Sequence, residues 1–159
     1  MDSEDRLKAT AELQAMLADF WYEVDSNWGR RAAEYFTEDG VFEASARTYA
    51  GRETIDRFYR FRQDRGPRVA VHAFSNFRTV LTAPDAAVCT WYLHLYAADG
   101  APVLPTSPPI QIALATDHCI RDEAGRWRYR HRRFETWFKG GVPTTTMTDD
   151  IEAQIRDKA

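Results

Sequence analysis

Apolar residues recur every three or four positions near the start of the chain: Leu13, Met16, Leu17, Phe20, Trp21 and Val24, with Glu4, Glu12, Asp19 and Glu23 on the other faces. This spacing predicts a helix capped at Ser3 and ending near Ser26-Asn27. A short second helix is expected over 28–36, burying Trp28, Ala32, Tyr35 and Phe36, with Glu38-Asp39-Gly40 as its stop. Short strands follow at 41–44 and 48–50. Gly51 opens a third helix with Ile55, Phe58 and Tyr59 as its apolar stripe, and Gly66-Pro67 breaks it. Beyond that point the pattern turns to strands. The stretches 69–82, 86–98, 110–121 and 126–138 are long and rich in β-branched or aromatic residues, and turns at Ala83-Pro84-Asp85 and Asp122-Glu123-Ala124-Gly125 separate them. The connector 99–109 holds four prolines and reads as a stiff loop. Its apolar tip, Val103-Leu104, is expected to pack over a pocket mouth or a neighbouring subunit, the alternative being a plain connector. From Pro143 the chain is polar, with a helical turn or two expected around Ile151 and Ile155.

Helices first and a long antiparallel sheet afterwards is an α+β order. The expectation is one domain over 1–142 with a polar tail over 143–159: three N-terminal helices wrapped by a curved antiparallel sheet that leaves an open-ended cone. Trp91 and Leu93 lie on one strand parity, Tyr92 and Tyr96 on the other, so both sheet faces are expected to be covered. One would be the cone interior and the other a subunit contact, in a homodimer or homotrimer.

Composition narrows the function. The 159 residues are 44% hydrophobic and 13% aromatic with a net charge of −3, which argues against disorder and against a global field for nucleic acid. Arg126, Arg128, Arg130 and Arg132 alternate with aromatics, but on a strand they fall on one face, where solvated outer arginines are the simpler account. Two cysteines without a C-x-x-C pair suit a reducing compartment, and no apolar run approaches a membrane span. The first residues lack the basic-then-apolar pattern of a signal peptide, so a cytoplasmic location is expected. The four histidines show no metal-ligand spacing, and there is neither a glycine-rich phosphate loop nor a G-x-S-x-G elbow. No cofactor or metal is expected.

Four stretches carry a resemblance: Tyr35-Phe36-Thr37-Glu38-Asp39-Gly40-Val41-Phe42-Glu43, then Tyr49-Ala50-Gly51-Arg52-Glu53-Thr54-Ile55, then His72-Ala73-Phe74-Ser75-Asn76, then Trp127 with Arg132-Arg133. In this order and spacing they resemble the SnoaL-like branch of the nuclear transport factor 2-like superfamily, across roughly residues 8–140. The resemblance implies a cystatin-like α+β cone, and its members include dehydratases, isomerases, cyclases, dehydrohalogenases and non-enzymatic binders. The site pattern is similar to that of scytalone dehydratase, bile-acid dehydratase and hexachlorocyclohexane dehydrochlorinase, where an Asp near the end of the first helix pairs with a His early in the first long strand. Asp25 and His72 hold those positions here, and Arg132, five residues after Trp127, matches an Arg of the dehydrochlorinase. Phe20 stands where that enzyme has a Lys.

A carboxylate on one imidazole nitrogen fixes the tautomer and stabilises the imidazolium, leaving the other nitrogen to move a proton. Tyr22, Tyr92 and Arg132 are the candidate donors to a developing enolate oxygen. His94 shares the parity of Tyr92 and Tyr96, and faces either the cavity or a subunit interface. Asp117 is a pocket candidate above Ala113 and Ala115, with His118 on the opposite face. The expected activity is a cofactor-independent lyase or isomerase on an apolar, ring-containing small molecule, a dehydratase of polyketide, steroid or aromatic metabolism. The alternative is a non-catalytic binding or scaffold subunit using the same cavity.

Overall fold

The first helix, α1 (Ser3–Ser26), buries Ala9, Leu13, Leu17, Phe20, Trp21 and Val24 on one stripe. In the computed structural model of the protein the described residues are 3–140 and the single position Ala153. The polar tail expected from Pro143, with its turns around Ile151 and Ile155, lies outside the described residues. No described helix is long and apolar enough to cross a membrane.

The helix expected over 28–36 does not form. Trp28 and Gly29 both take positive φ, 62° and 72°, and this reverses the chain directly after α1. The Asn27 and Gly29 amides both return to the Glu23 carbonyl, at 3.0 and 3.1 Å, and close the helix end. Glycine is required at 29 for a second reason: a Cβ there would stand 2.6 Å from the Tyr59 ring. Only one 3₁₀ turn, Ala32–Tyr35, survives of the expected helix. Phe36 already starts the first strand, β1 (Phe36–Ala44). A tight turn with Ser45 at φ 58° leads into β2 (Arg47–Ala50). The next helix, α2 (Arg52–Arg60), buries Ile55, Phe58 and Tyr59 as its pattern predicts. Arg52 ties it to β1 by donating to the Phe36 carbonyl from Nε at 3.0 Å and Nη2 at 2.6 Å.

Four long strands follow: β3 (Arg68–Ala83), β4 (Ala86–Asp99), β5 (Gln111–Arg121) and β6 (Trp127–Lys139). Among the described residues, six strands form one curved, unclosed sheet in the order β2-β1-β6-β5-β4-β3. The α+β class and the open, helix-filled architecture stand as expected. Two details differ. The described residues hold two α-helices where three were expected, and the sheet is mixed, because β1 runs parallel to β6.

Two bulges decide what the sheet presents to its interior. On β3, Ser75 faces Tyr92 and Arg78 faces Thr90, so Asn76 and Phe77 together oppose Trp91. Asn76 takes φ 54°, a conformation Asn tolerates better than most residues. Inward parity therefore switches from His72 and Phe74 to Phe77, Thr79 and Leu81. On β6, His118 faces His131 while Cys119 faces Tyr129, which leaves Arg130 as the extra residue. Trp127 and Tyr129 point inward before it, Arg132 and Phe134 after it.

This second bulge corrects the reading of the basic stretch as a single outer stripe. Arg126 and Arg128 do stay outside, both pairing with Asp122. Arg132 is turned into the core, with a fully buried side chain. There it donates from Nε to Asp117 Oδ1 at 2.7 Å and from Nη2 to Oδ2 at 2.8 Å. Trp91 Nε1 donates to the same carboxylate at 2.8 Å. The guanidinium carbon sits 3.8 Å from the Tyr129 ring centre and 4.6 Å from that of Phe20. Burial opposes its charge, but Asp117 outweighs burial and holds Arg132 above its ordinary pKa.

Asp117→Ala should leave that guanidinium buried and uncompensated, lowering stability by about 3–5 kcal/mol in a urea titration. Asp117→Ala combined with Arg132→Met removes both charges and should lose less than the single change. A loss under about 1 kcal/mol for Asp117→Ala would place the pair among ordinary surface bridges.

Candidate active site

Asp25 occupies the last turn of α1 and His72 lies early on β3, before the Asn76 bulge, where its side chain faces inward. The two meet directly. His72 Nδ1 lies 2.6 Å from Asp25 Oδ1, and the His72 backbone N–H donates to Oδ2 at 2.8 Å. One carboxylate thus fixes both the ring and the strand that carries it. A carboxylate only accepts, so Nδ1 holds the proton and Nε2 keeps its lone pair. The indole of Trp21 lies flat on the imidazole, with centroids 4.1 Å apart and planes 2° apart. Burial pushes the His72 pKa down, the Asp25 hydrogen bond and charge push it up, and Arg62 and Arg68 push it down again; the net result lies below the ordinary 6.5.

His72 lines a cavity of about 280 Å³ walled by Trp21, Tyr49, Phe58, Tyr59, Leu93 and Phe134. Its rim is basic: Arg47, Arg62, Arg65, Arg68 and Lys139. The Tyr59 phenol is pushed up to about 12 by burial, so it remains an O–H donor at neutral pH. A larger hollow of about 670 Å³ between α1 and the far half of β3 carries no His or carboxylate among the described residues. No three described His, Cys, Asp or Glu side chains gather as metal ligands.

The other expected site residues lie elsewhere. Tyr22 is on the solvent side of α1, 75% exposed, because the inward stripe passes through Trp21 and Val24 instead. Tyr92 and His94 fall on the outer sheet face, opposite the parity of Trp91 and Leu93. There Tyr92 packs on Trp137 at 5.4 Å and His94 meets Ser75 Oγ at 3.0 Å. Asp117 and Arg132 do point inward, but they bond to each other behind Trp21 and Phe134 and do not line the cavity. The proline loop does not cover the cavity either. Pro102, Leu104 and Pro105 pack beside Val69, Val71 and Tyr96, and Val103 is fully exposed.

Sequence reading gave Tyr59 a core role only and passed over Arg62, Arg65 and Arg68. Their signal was the three-residue spacing. A 3₁₀ turn at Gln63–Arg65 has three residues per turn and stacks positions i and i+3 on one side.

The sequence matches the SnoaL-like domain over residues 5–133. The chain belongs to the SnoaL-like family. No protein of curated function matches it. Solved structures share the fold. One is a protein assigned as a scytalone dehydratase from Novosphingobium aromaticivorans, 16% identical over 92% of this chain and 94% of that one, with a TM-score of 0.77. Another is ActVI-ORFA from Streptomyces coelicolor, 18% identical over 84% and 98% of the two chains, TM-score 0.73. A third is the hexachlorocyclohexane dehydrochlorinase LinA-type3 from Novosphingobium barchaimii, 18% identical over 92% and 99%, TM-score 0.69. At these identities the SnoaL-like fold is what is shared.

In an NMR titration His72 of this SnoaL-like protein should have its midpoint below 6.5. Asp25→Asn removes the groups that raise it and should move the midpoint lower still. A lowered midpoint also sets a stability window. The unfolded imidazole takes up its proton first, so stability falls as pH drops below 6.5 and levels off beneath the folded midpoint.

Proposed function

We propose that this protein is a cofactor-independent lyase or isomerase of dehydratase type, in which His72 moves a proton under the direction of Asp25. The observation that carries the reading is the 2.6 Å contact by which Asp25 holds His72 in the wall of an aromatic cavity. Membership of the SnoaL-like family and a fold shared with a dehydrochlorinase support it. His72 Nε2 takes a proton from the carbon beside a carbonyl, and the bond's electron pair forms an enolate. Tyr59, still protonated at neutral pH, donates to the enolate oxygen, the role that Tyr22, Tyr92 and Arg132 are not placed to fill. As the carbonyl re-forms, the C–O bond to the leaving hydroxyl breaks. The imidazolium returns its proton to that oxygen, and water leaves. No oxidant or reductant enters. Base and acid are the same residue, so both groups leave from one face of the substrate.

The test uses a panel of bicyclic β-hydroxy ketones, with enone formation followed by absorbance. Wild-type protein should accelerate water loss from at least one of them, and His72→Gln should lower the rate by about 10²–10⁴-fold. The acid limb of the pH–rate profile should lie below 6.5. Tight binding of panel members with neither water loss nor deuterium exchange at the carbon beside the carbonyl would assign the protein to the non-catalytic binders.

The outer sheet face is proposed as a self-association surface. It exposes Val71, Tyr96, Trp137 and Phe138. Light scattering at micromolar concentration should give a dimer or trimer mass; a monomer mass would refute the assignment.

A further inference from the structure

We propose that the cavity takes a ligand bearing an oxyanion, a carboxylate or a phosphate monoester, gripped by Arg62 and Arg65 beside the Asp25–His72 pair. This rests on the cavity being the ligand site, as above, and narrows its substrate from apolar to amphiphilic: an aromatic or alicyclic body with one acidic end.

Three arginines converge there for a geometric reason. Arg62 enters a 3₁₀ turn and Arg65 ends it, so the two stack on one side. Gly66, at φ 80°, turns the chain so that Arg68 can begin β3. All three line both the main cavity and the small hollow behind Asp25. They therefore form the wall between the two. Like charges held this closely repel, and partial burial adds to the penalty. Arg65 shows it: burial, then the charges of Arg62 and Arg68, bring its pKa down to about 10.

Arg62 and Arg65 have no carboxylate partner among the described residues, and Arg62 Nε is buried without a hydrogen bond. Two described acids lie nearby: each oxygen of Asp25 already accepts from His72, and Asp99 stands against Arg68, 4.0 Å from its Nη1. Arg62 and Arg65, two adjoining cations without an ion-pair partner among the described residues, favour an anion entering the cavity. A guanidinium fork matches the two oxygens of a carboxylate or phosphate, which selects an oxyanion over a halide or a neutral carbonyl. The aromatic walls and a volume of about 280 Å³ limit the rest of the ligand to a small ring system.

Calorimetry with three probes of one shape tests this: 2-naphthoate, 2-naphthyl phosphate and the neutral 2-naphthamide. At least one anion should bind more than about 10-fold tighter than the amide at low salt. The tighter of the two identifies the oxyanion. The preference should shrink as salt is raised, a measurement that needs no variant. Arg62→Gln with Arg65→Gln should abolish it while leaving 2-naphthamide affinity within about 2-fold. Equal binding of acid and amide, no anion binding at millimolar concentration, or full preference in the double variant would each overturn the proposal. The measurement involves no turnover. An anion preference without enone formation removes the lyase reading alone, and enone formation without an anion preference removes this one alone.

Discussion

The buried contact between Arg132 and Asp117 fixes the interior of the cone. It joins β6 to β5 across the sheet's inner face, and Trp91 of β4 donates to the same carboxylate, so three adjacent strands share one anchor. Rings from α1 and the sheet close over the guanidinium, Phe20 and Tyr129 among them. A charge in such surroundings is stable only while its partner is in place. This restricts the helix as much as the strands. α1 must lie where Phe20 caps the cation, and that seating places Trp21 against His72 and Asp25 at its backbone. Asp25 and His72 are thus positioned from below by an ion pair that does not line the cavity.

Much of this arrangement is legible in the chain. The 3.6-residue stripe of α1, the stripe of α2 and the four long strands can all be read from spacing, because each element buries one face with a regular period. The pairing of Asp25 with His72 came from resemblance to the SnoaL-like pattern; the periodicity of the chain carries no sign of it. What escaped were the irregularities. Alternation along β6 predicts that Arg132 travels with Arg126 and Arg128, and it fails at Arg130, where one unpaired residue changes the parity. Nothing in the local composition marks that bulge. Tyr22 escaped for another reason: next to Trp21 and Val24, a helix register one position off would have turned it inward.

The cavity itself joins two environments that sequence composition averages away. Its walls are aromatic and suit an apolar body. Its rim is cationic, and burial, with a smaller push from Arg62 and Arg68, lowers the His72 pKa against the opposing pull of Asp25. A net charge of −3 for the whole chain conceals a local concentration of positive charge, because four arginines and a lysine line the cavity and no described Asp or Glu does. Local field and total charge are separate quantities here, and the chemistry responds to the local one.

The Asn76 bulge has a consequence for how such a protein changes over time. It acts as a phase shifter between two halves of one strand: His72 and Phe74 face inward on one side, Phe77, Thr79 and Leu81 on the other. Loss of the single Asn76 codon would remove only the extra residue: Phe77 alone would oppose Trp91, and every other β3 residue would keep its β4 partner and with it its face. The bulge is therefore a place where one codon can be gained or lost while the interior lining stays as it is. Lineages of this fold can vary in length there and keep the helix, and with it the carboxylate that steers the histidine.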